Sequence, residues 1–234
     1  MKKISSLLPI IALIAASSTL AQAEVSSTVT LTSDYDFRGL TQTAGDPALQ
    51  VSVDWASESG FYVSAWASNV EFGEDAKSNV ELDIIGGFKG SFNEDAGFDL
   101  GVLQYTYMPD KDKIQFGEAY AGISYKAITA KIWYAWDYGN TGESATYIES
   151  NGTIPLPNDF DLALHVGYTN GDYWETTAGS YTDYSVGITK DLGNFELALK
   201  WVDGSDLKSL IRTTDDVFTS KSKVVFSVST TLPW

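Results

Sequence analysis

The 234 residues carry 31 Asp plus Glu against 15 Lys plus Arg and one His, a formal charge of −16, and that sign disfavours nucleic acid and anionic lipid as partners because both repel a chain of like charge. With no cysteine there is neither a disulfide framework nor thiolate chemistry. Twenty glycines, 13 tyrosines, 11 phenylalanines and seven tryptophans against two methionines suit short strands, tight turns and aromatic girdles.

Lys2 and Lys3 precede an apolar run from Ile4 to Ala16, and Ala21-Gln22-Ala23 supplies a small-x-small cleavage site before Glu24. The run is well short of the roughly 20 residues that a transmembrane helix needs, and polar residues interrupt every later apolar stretch. Residues 1–23 are therefore expected to be a signal peptide and 24–234 one mature domain, since no Pro/Ser-rich linker divides them. Without the two signal lysines, 13 Lys plus Arg face 31 Asp plus Glu, a balance of −18.

Period-two alternation predicts about twelve strands in the mature chain. The first turns Val29, Leu31, Tyr35 and Phe37 one way and Thr30, Thr32, Asp34 and Asp36 the other. The second sets Leu49, Val51, Val53 and Trp55 against Gln50, Ser52 and Asp54. In the third, Phe61, Val63, Ala65 and Ala67 share a face, but Tyr62 and Trp66 occupy the opposite one. The fourth opposes Val80, Leu82, Ile84 and Phe88 to Glu81, Asp83 and Lys89. The fifth, Phe98 to Met108, has no single phase, because Leu103, Tyr105 and Tyr107 share the face of Asp99. The sixth and seventh run from Phe116 to Tyr125 and from Ile128 to Tyr138. The eighth, Ala145 to Leu156, is weaker and open to a break at Asn151-Gly152. The ninth to eleventh follow over Phe160–Tyr168, Thr182–Ile188 and Phe195–Trp201. The last strand, Lys221 to Trp234, alternates Val224, Phe226, Val228, Thr230, Leu232 and Trp234.

More than half of these segments reach ten residues or more, long for a sandwich strand of about five or six and suited to a tilted membrane span. Aromatics near the ends of apolar faces, including Tyr35, Phe37, Trp55, Tyr138 and Trp201, fit a girdle. Open edges are intolerable in hydrocarbon, so the expected fold is all-β: a closed antiparallel transmembrane β-barrel with its last strand paired to its first. Both termini then share one side, the periplasm. Turns fall near Ser57–Gly60, Ser91–Gly97, Lys126–Ala127, Pro157–Asp159 and Lys190–Asn194. External loops are expected at Arg38–Asp46, Glu71–Ser78, Pro109–Gln115, Gly139–Ser144, Asn170–Ser180 and Asp203–Ser220, the last apolar enough (Leu207, Leu210, Ile211, Val217, Phe218) to fold over or into the mouth.

Twelve strands at about 4.8 Å spacing and roughly 40° tilt imply a backbone diameter of about 24 Å, between filled eight-strand barrels and water-filled porins. The inward phase carries Asp34, Asp36, Asp54, Glu81, Asp83, Asp99, Glu118, Asp137, Glu149, Asp161, Asp183 and Glu196, opposed by Lys89, Lys131, Lys200, Lys221, Lys223 and Arg38. Such a wall demands water or paired charge, and its acidic surplus favours cations. The same groups could serve only to solvate the wall, to tune a diffusion pore, or to hold a dedicated solute. Arg38 reads as a rim ion pair with Asp34 and Asp36, or as a substrate clamp. His165, the one histidine, reads as a hydrogen-bonded lumen residue; with no second histidine or cysteine, a metal ligand set is not expected. No G-x-S-x-G motif, phosphate loop or dinucleotide fingerprint appears, so no catalytic residue and no cofactor is expected. The function expected is passive diffusion of small hydrophilic solutes or cations. A non-conducting structural or adhesion-type barrel is the alternative, and an outer-membrane hydrolase built on His165 is the weaker third.

The run Ser33-Asp34-Tyr35-Asp36-Phe37-Arg38-Gly39, with Thr41-Gln42-Thr43, Ser59-Gly60-Phe61-Tyr62 and Trp66-Ala67-Ser68-Asn69-Val70, resembles the TorF family, also known as the Gcw_chp family. Asp36 occupies the variable place of that family's S-D-Y-x-F-R-G pattern and adds a charge beside Arg38. The resemblance implies an outer-membrane barrel of Gram-negative bacteria described as a porin, and it supplies no catalytic residue.

Overall fold

The computed structural model describes residues 24–73, 76–109, 114–205 and 217–233; the segment 1–23, with its expected signal peptide, lies outside them. In chain order the strands are β1 (Glu24–Thr32), β2 (Asp36–Phe37), β3 (Leu40–Thr41), β4 (Ala48–Ala56), β5 (Phe61–Asn69), β6 (Val80–Ser91), β7 (Ala96–Met108), β8 (Phe116–Tyr125), β9 (Ile128–Ala135), β10 (Ala145–Leu156), β11 (Phe160–Asn170), β12 (Tyr181–Asp191), β13 (Glu196–Ser205) and β14 (Lys223–Pro233). All but β2 and β3 form a closed barrel of twelve antiparallel strands. β14 seals it by pairing with β1, Val29 opposite Thr230 and Leu31 opposite Val228. No sheet edge is left, as a hydrocarbon surround requires.

Alternation sets the phase of each strand. Leu31, Val53, Phe61, Ile123, Leu164, Phe195 and Val224 stand on the exposed outer face, a belt of apolar side chains that only lipid would cover without penalty. The two doubtful phases resolve inward: Tyr62, Ser64, Trp66 and Ser68 on β5, and Leu103, Tyr105 and Tyr107 on β7, are buried in the barrel. β10 does not break at Asn151-Gly152 but pairs with β11 through Leu156.

The turns at the end carrying the termini are tight. The link between Leu156 and Phe160 is three residues long, with Asn158 and Asp159 at φ values of 63° and 59°. Gly60, at φ 100°, lies so close to the Lys89 carbonyl that a β-carbon would run into it.

Five expectations are corrected. The first strand ends at Thr32, not Phe37, and residues 34–44 enter the barrel instead of forming an external loop. Ser33 makes the bend: its N–H donates to the Phe226 carbonyl (2.8 Å) and its Oγ accepts from the Phe226 N–H (3.0 Å). The chain then doubles back through β2 and β3, Asp36 opposite Thr41 and Phe37 opposite Leu40, around Arg38 (φ 51°) and Gly39 (φ 80°), positive at both central positions as a tight hairpin demands. Tyr35 and Phe37 are therefore interior residues rather than girdle aromatics, Tyr35 meeting Trp66 edge-on at 5.3 Å and Phe37 meeting Tyr105 at 5.9 Å.

Beyond β9 the chain leaves the wall in a 3-10 turn, Tyr138–Asn140, so Tyr138 is no girdle residue either; it packs on Phe116 and Trp174. Asp137 does not project from the wall but ties this turn, its Oδ1 accepting from the Gly142 N–H at 2.7 Å. The loop after β11 carries a short helix, α1 (Asp172–Thr176), whose Trp174 is buried against Tyr181.

Residues 206–216 of the longest loop, with Leu207, Leu210 and Ile211, lie outside the described residues. Its far end does reach inward: Val217 is buried, Phe218 packs on Phe72 at 4.8 Å, and the Thr219 carbonyl accepts from the Thr41 N–H at 3.1 Å.

Candidate functional site: the lumen and its inner hairpin

The β2–β3 hairpin crosses the interior from the β1–β4 side and is held by charge at both ends, on the neighbouring strands β13 and β14 at its base and on the far wall at its tip. The Asp34 carboxylate lies 2.7 Å from Lys223 Nζ, and Asp36 lies 3.0 Å from Lys223 and 3.4 Å from Lys200. Asp34 also accepts from the Thr41 and Thr43 hydroxyls, which folds the hairpin onto its own stem. At the tip, Arg38 reaches β8 and grips Glu118 through both nitrogens, at 2.8 and 2.7 Å. The side chains of this pair are only 10% and 1% exposed. A planar, bidentate, buried pair is strong and directional. The guanidinium also lies 4.4 Å from the Tyr147 ring centre and 4.7 Å from that of Phe37. Arg38 is thus no rim group beside Asp34 and Asp36; its partner stands on the far wall.

These contacts fix the ionisation of the hairpin. Burial by itself works against the charged form of Arg38, but the Glu118 carboxylate more than offsets it and holds the guanidinium pKa above its ordinary value. Burial likewise pushes the Asp36 carboxyl up, yet the Lys200 and Lys223 ammonium groups prevail and hold it below its ordinary value.

Gly39 sits against Asp183 of β12, where a β-carbon would come within 2.6 Å of the Asp183 Cβ. With φ at 80° as well, glycine is required there on both counts.

On the side of the termini the hairpin bounds a cavity of about 770 Å³. Asp34, Asp36, Arg38, Asp54, Lys131, His165, Glu196 and Lys200 all line it. Asp54 accepts from the hydroxyls of Ser52 and Ser64. Lys131 pairs with Asp99 at 2.6 Å, and the Tyr62 hydroxyl donates to the same carboxylate at 2.6 Å. His165 is set among oxygens: Nδ1 is 2.7 Å from Asn151 Oδ1, and Nε2 is 2.8 Å from Asp183 Oδ1 and 3.0 Å from the Tyr147 hydroxyl. None of these partners is a serine, so His165 is not paired with the serine hydroxyl that the hydrolase reading needs.

Of the other predicted wall residues, Glu149 and Asp183 also line the cavity, whereas Glu118, Glu81, Asp83 and Asp161 stand apart from it. Glu118 is behind the Arg38 tip, Glu81 and Asp83 are fully buried, and Asp161 is half-buried on β11 near the end of the termini, opposite Thr189.

Around the hairpin and beyond it the interior is packed, and Tyr35, Trp66, Leu103 and Tyr105 of this packing also border the cavity. Tyr35, Leu40, Trp66, Leu103, Tyr105, Phe116, Trp174 and Tyr181 belong to one buried cluster. An interior filled by water or paired charge alone was expected; aromatic packing closes much of it instead.

Sequence reasoning missed that the hairpin is the partner of the wall charges. The signal available was the Arg38-Gly39 step between two short alternating runs. It also left Tyr35, Tyr147 and Asn151 out of the site, because each acquires its role only from the hairpin or from His165.

Comparison with known proteins agrees with this architecture. The KdgM porin superposes with a TM-score of 0.56 at 7% identity, over 90% of this chain and 99% of that one. The NanC porin gives 0.58 at 9% identity, over 88% and 97%. A KdgM porin in complex with disordered oligogalacturonate gives 0.55 at 8% identity, over 88% and 98%. At these identities the likeness is one of fold, that of an outer-membrane porin barrel. No curated protein matches the chain by sequence. The model of a family described as "Bacterial protein of unknown function (Gcw_chp)" matches residues 16–232, and by that match the chain belongs to the Gcw_chp family.

Proposed function

We propose that the mature chain, exported by residues 1–23 and inserted with both termini in the periplasm, is a porin for passive diffusion of small hydrophilic solutes or ions, with the β2–β3 hairpin as its constriction. The observation that carries this reading is a cavity of about 770 Å³, lined by many charged side chains, ending against a hairpin held by ion pairs rather than by a covalent or purely apolar seal. Ion pairs that border a cavity can exchange partners with permeating ions, and an aromatic plug cannot.

The cavity is lined by eight carboxylates (Glu24, Asp34, Asp36, Asp54, Glu149, Asp183, Asp191, Glu196) and three fixed cations (Arg38, Lys131, Lys200). That surplus supports a weak preference for cations. It argues against an anionic oligosaccharide such as the oligogalacturonate of the KdgM complex as the solute here.

The second reading, a non-conducting structural or adhesion-type barrel, is favoured by one observation, the buried cluster of Tyr35, Trp66, Tyr105, Phe116 and Tyr181 around the hairpin. Recordings from the purified, folded protein in planar bilayers separate the two. Discrete steps, with a reversal potential displaced toward that of potassium in a KCl gradient, are expected of the porin. Silence from inserted barrels points to the closed one.

A further inference from the structure

β6 carries Glu81 and Asp83 two residues apart, so both side chains leave the same face and enter the interior. They are 1% and 0% exposed. Glu81 Oε1 accepts from the Tyr107 hydroxyl at 2.9 Å. Glu81 Oε2 and both carboxylate oxygens of Asp83 have no hydrogen-bond donor. Among the described residues neither acid is in an ion pair, and the next acid in reach, Glu118, already has its charge balanced by Arg38.

A third oxygen comes from a different element. The hairpin brings the Tyr35 hydroxyl, 3% exposed, up to the Glu81 carboxylate, with Asp83 the next acid beside it. Its position is set from behind, by the Trp66 ring and by the Tyr35 N–H donating to Thr43 Oγ1 at 3.1 Å.

Two carboxyl groups in such dry surroundings must either hold protons or be met by a counter-charge. Here the donors are all oxygen, which selects a hard cation over zinc or copper. Two negative charges are balanced by one divalent ion. Calcium tolerates irregular, partly bidentate carboxylate ligation, whereas magnesium keeps several waters and an octahedral shell that this packed layer would have to admit.

We infer that Glu81, Asp83 and the Tyr35 hydroxyl form a calcium-binding site that ties the inner hairpin to β6. The inference goes beyond conduction and does not depend on it.

The test uses Tb³⁺ as a calcium surrogate on the refolded, full-length mature barrel in detergent, excited through the adjoining aromatics Tyr35 and Trp66. Sensitised emission saturating near one ion per barrel, displaced by CaCl₂ but not by equimolar MgCl₂, is the expected result. The Glu81→Gln/Asp83→Asn variant should lose that emission while keeping the heat-modifiable gel mobility of a folded barrel. Tyr35→Phe, which leaves the packing intact, should bind calcium several-fold more weakly. Emission that survives in the double variant, or that CaCl₂ does not displace, would overturn the site. So would a wild-type barrel that binds no Tb³⁺ from pH 6 to 8, which would assign the pair a shared proton instead.

Discussion

Arg38→Ala tests the hairpin most sharply, because its consequence can be worked from one contact. The substitution removes both bonds to Glu118 (2.8 and 2.7 Å) and leaves that carboxylate, 1% exposed, without its counter-charge. Truncating one member of a buried pair costs about 3–5 kcal/mol. Since about 1.4 kcal/mol is a factor of ten, the undocked population of the hairpin should rise about a hundredfold to several thousandfold. The ties of Asp34 and Asp36 to Lys223 and Lys200 remain, so the expected outcome is frequent opening rather than permanent release. Single-channel open probability in planar bilayers reads this directly, with heat-modifiable gel mobility confirming that the barrel itself is folded. Glu118→Ala should do the same, and the double variant should be less perturbed than the sum of the two, because it leaves no orphaned charge. Additive single effects, or an open probability unmoved by Arg38→Ala in folded, inserted protein, would refute the assignment of the hairpin as constriction.

Two further outcomes follow from the same structure. The docked Asp36 carboxyl has a pKa below its ordinary value, so its contribution to docking is complete above about pH 4 and is lost as pH falls through the lower, docked-state value. Opening should therefore increase on acidification below about pH 4, and Asp36→Asn should open more at neutral pH with a smaller further rise on acidification. On the outer wall, Leu164→Arg places a charge on the exposed face near the middle of β11 and should destabilise the inserted barrel by about 2–4 kcal/mol, measured by urea titration of folding into lipid vesicles. A negligible effect would mean that this face does not meet hydrocarbon.

The barrel was legible because its strands bury one face and expose the other, and the seal of Val29 against Thr230 follows from the need to leave no edge. The hairpin was not legible. Asp34-Tyr35-Asp36-Phe37 continues the alternation of β1 without a break, so period two cannot show that the chain bends at Ser33. Arg38-Gly39 is also a weaker turn mark than Asn-Gly.

Once the hairpin is inside, the awkward faces of β5 and β7 make sense. Trp66, Leu103, Tyr105 and Tyr107 point inward because they pack around it, and an interior of charge alone would leave them unexplained. Tyr138 was misplaced for a related reason. Its spacing fits β9, but the strand ends at Ala135 and the ring turns to meet Phe116 and Trp174.

The central claim is that the wall encloses a path and that the hairpin narrows it. Thr32 of β1 lies opposite Ala48 of β4 in register, so residues 33–47 can be replaced by Asn-Gly, a turn suited to joining two antiparallel strands, without altering the pairing of the wall. Bilayer conductance of that barrel beside the wild type is the decisive measurement. A larger, steady, cation-preferring conductance in the hairpin-less barrel is predicted, and a folded, inserted barrel that conducts no better than the wild type would contradict the account.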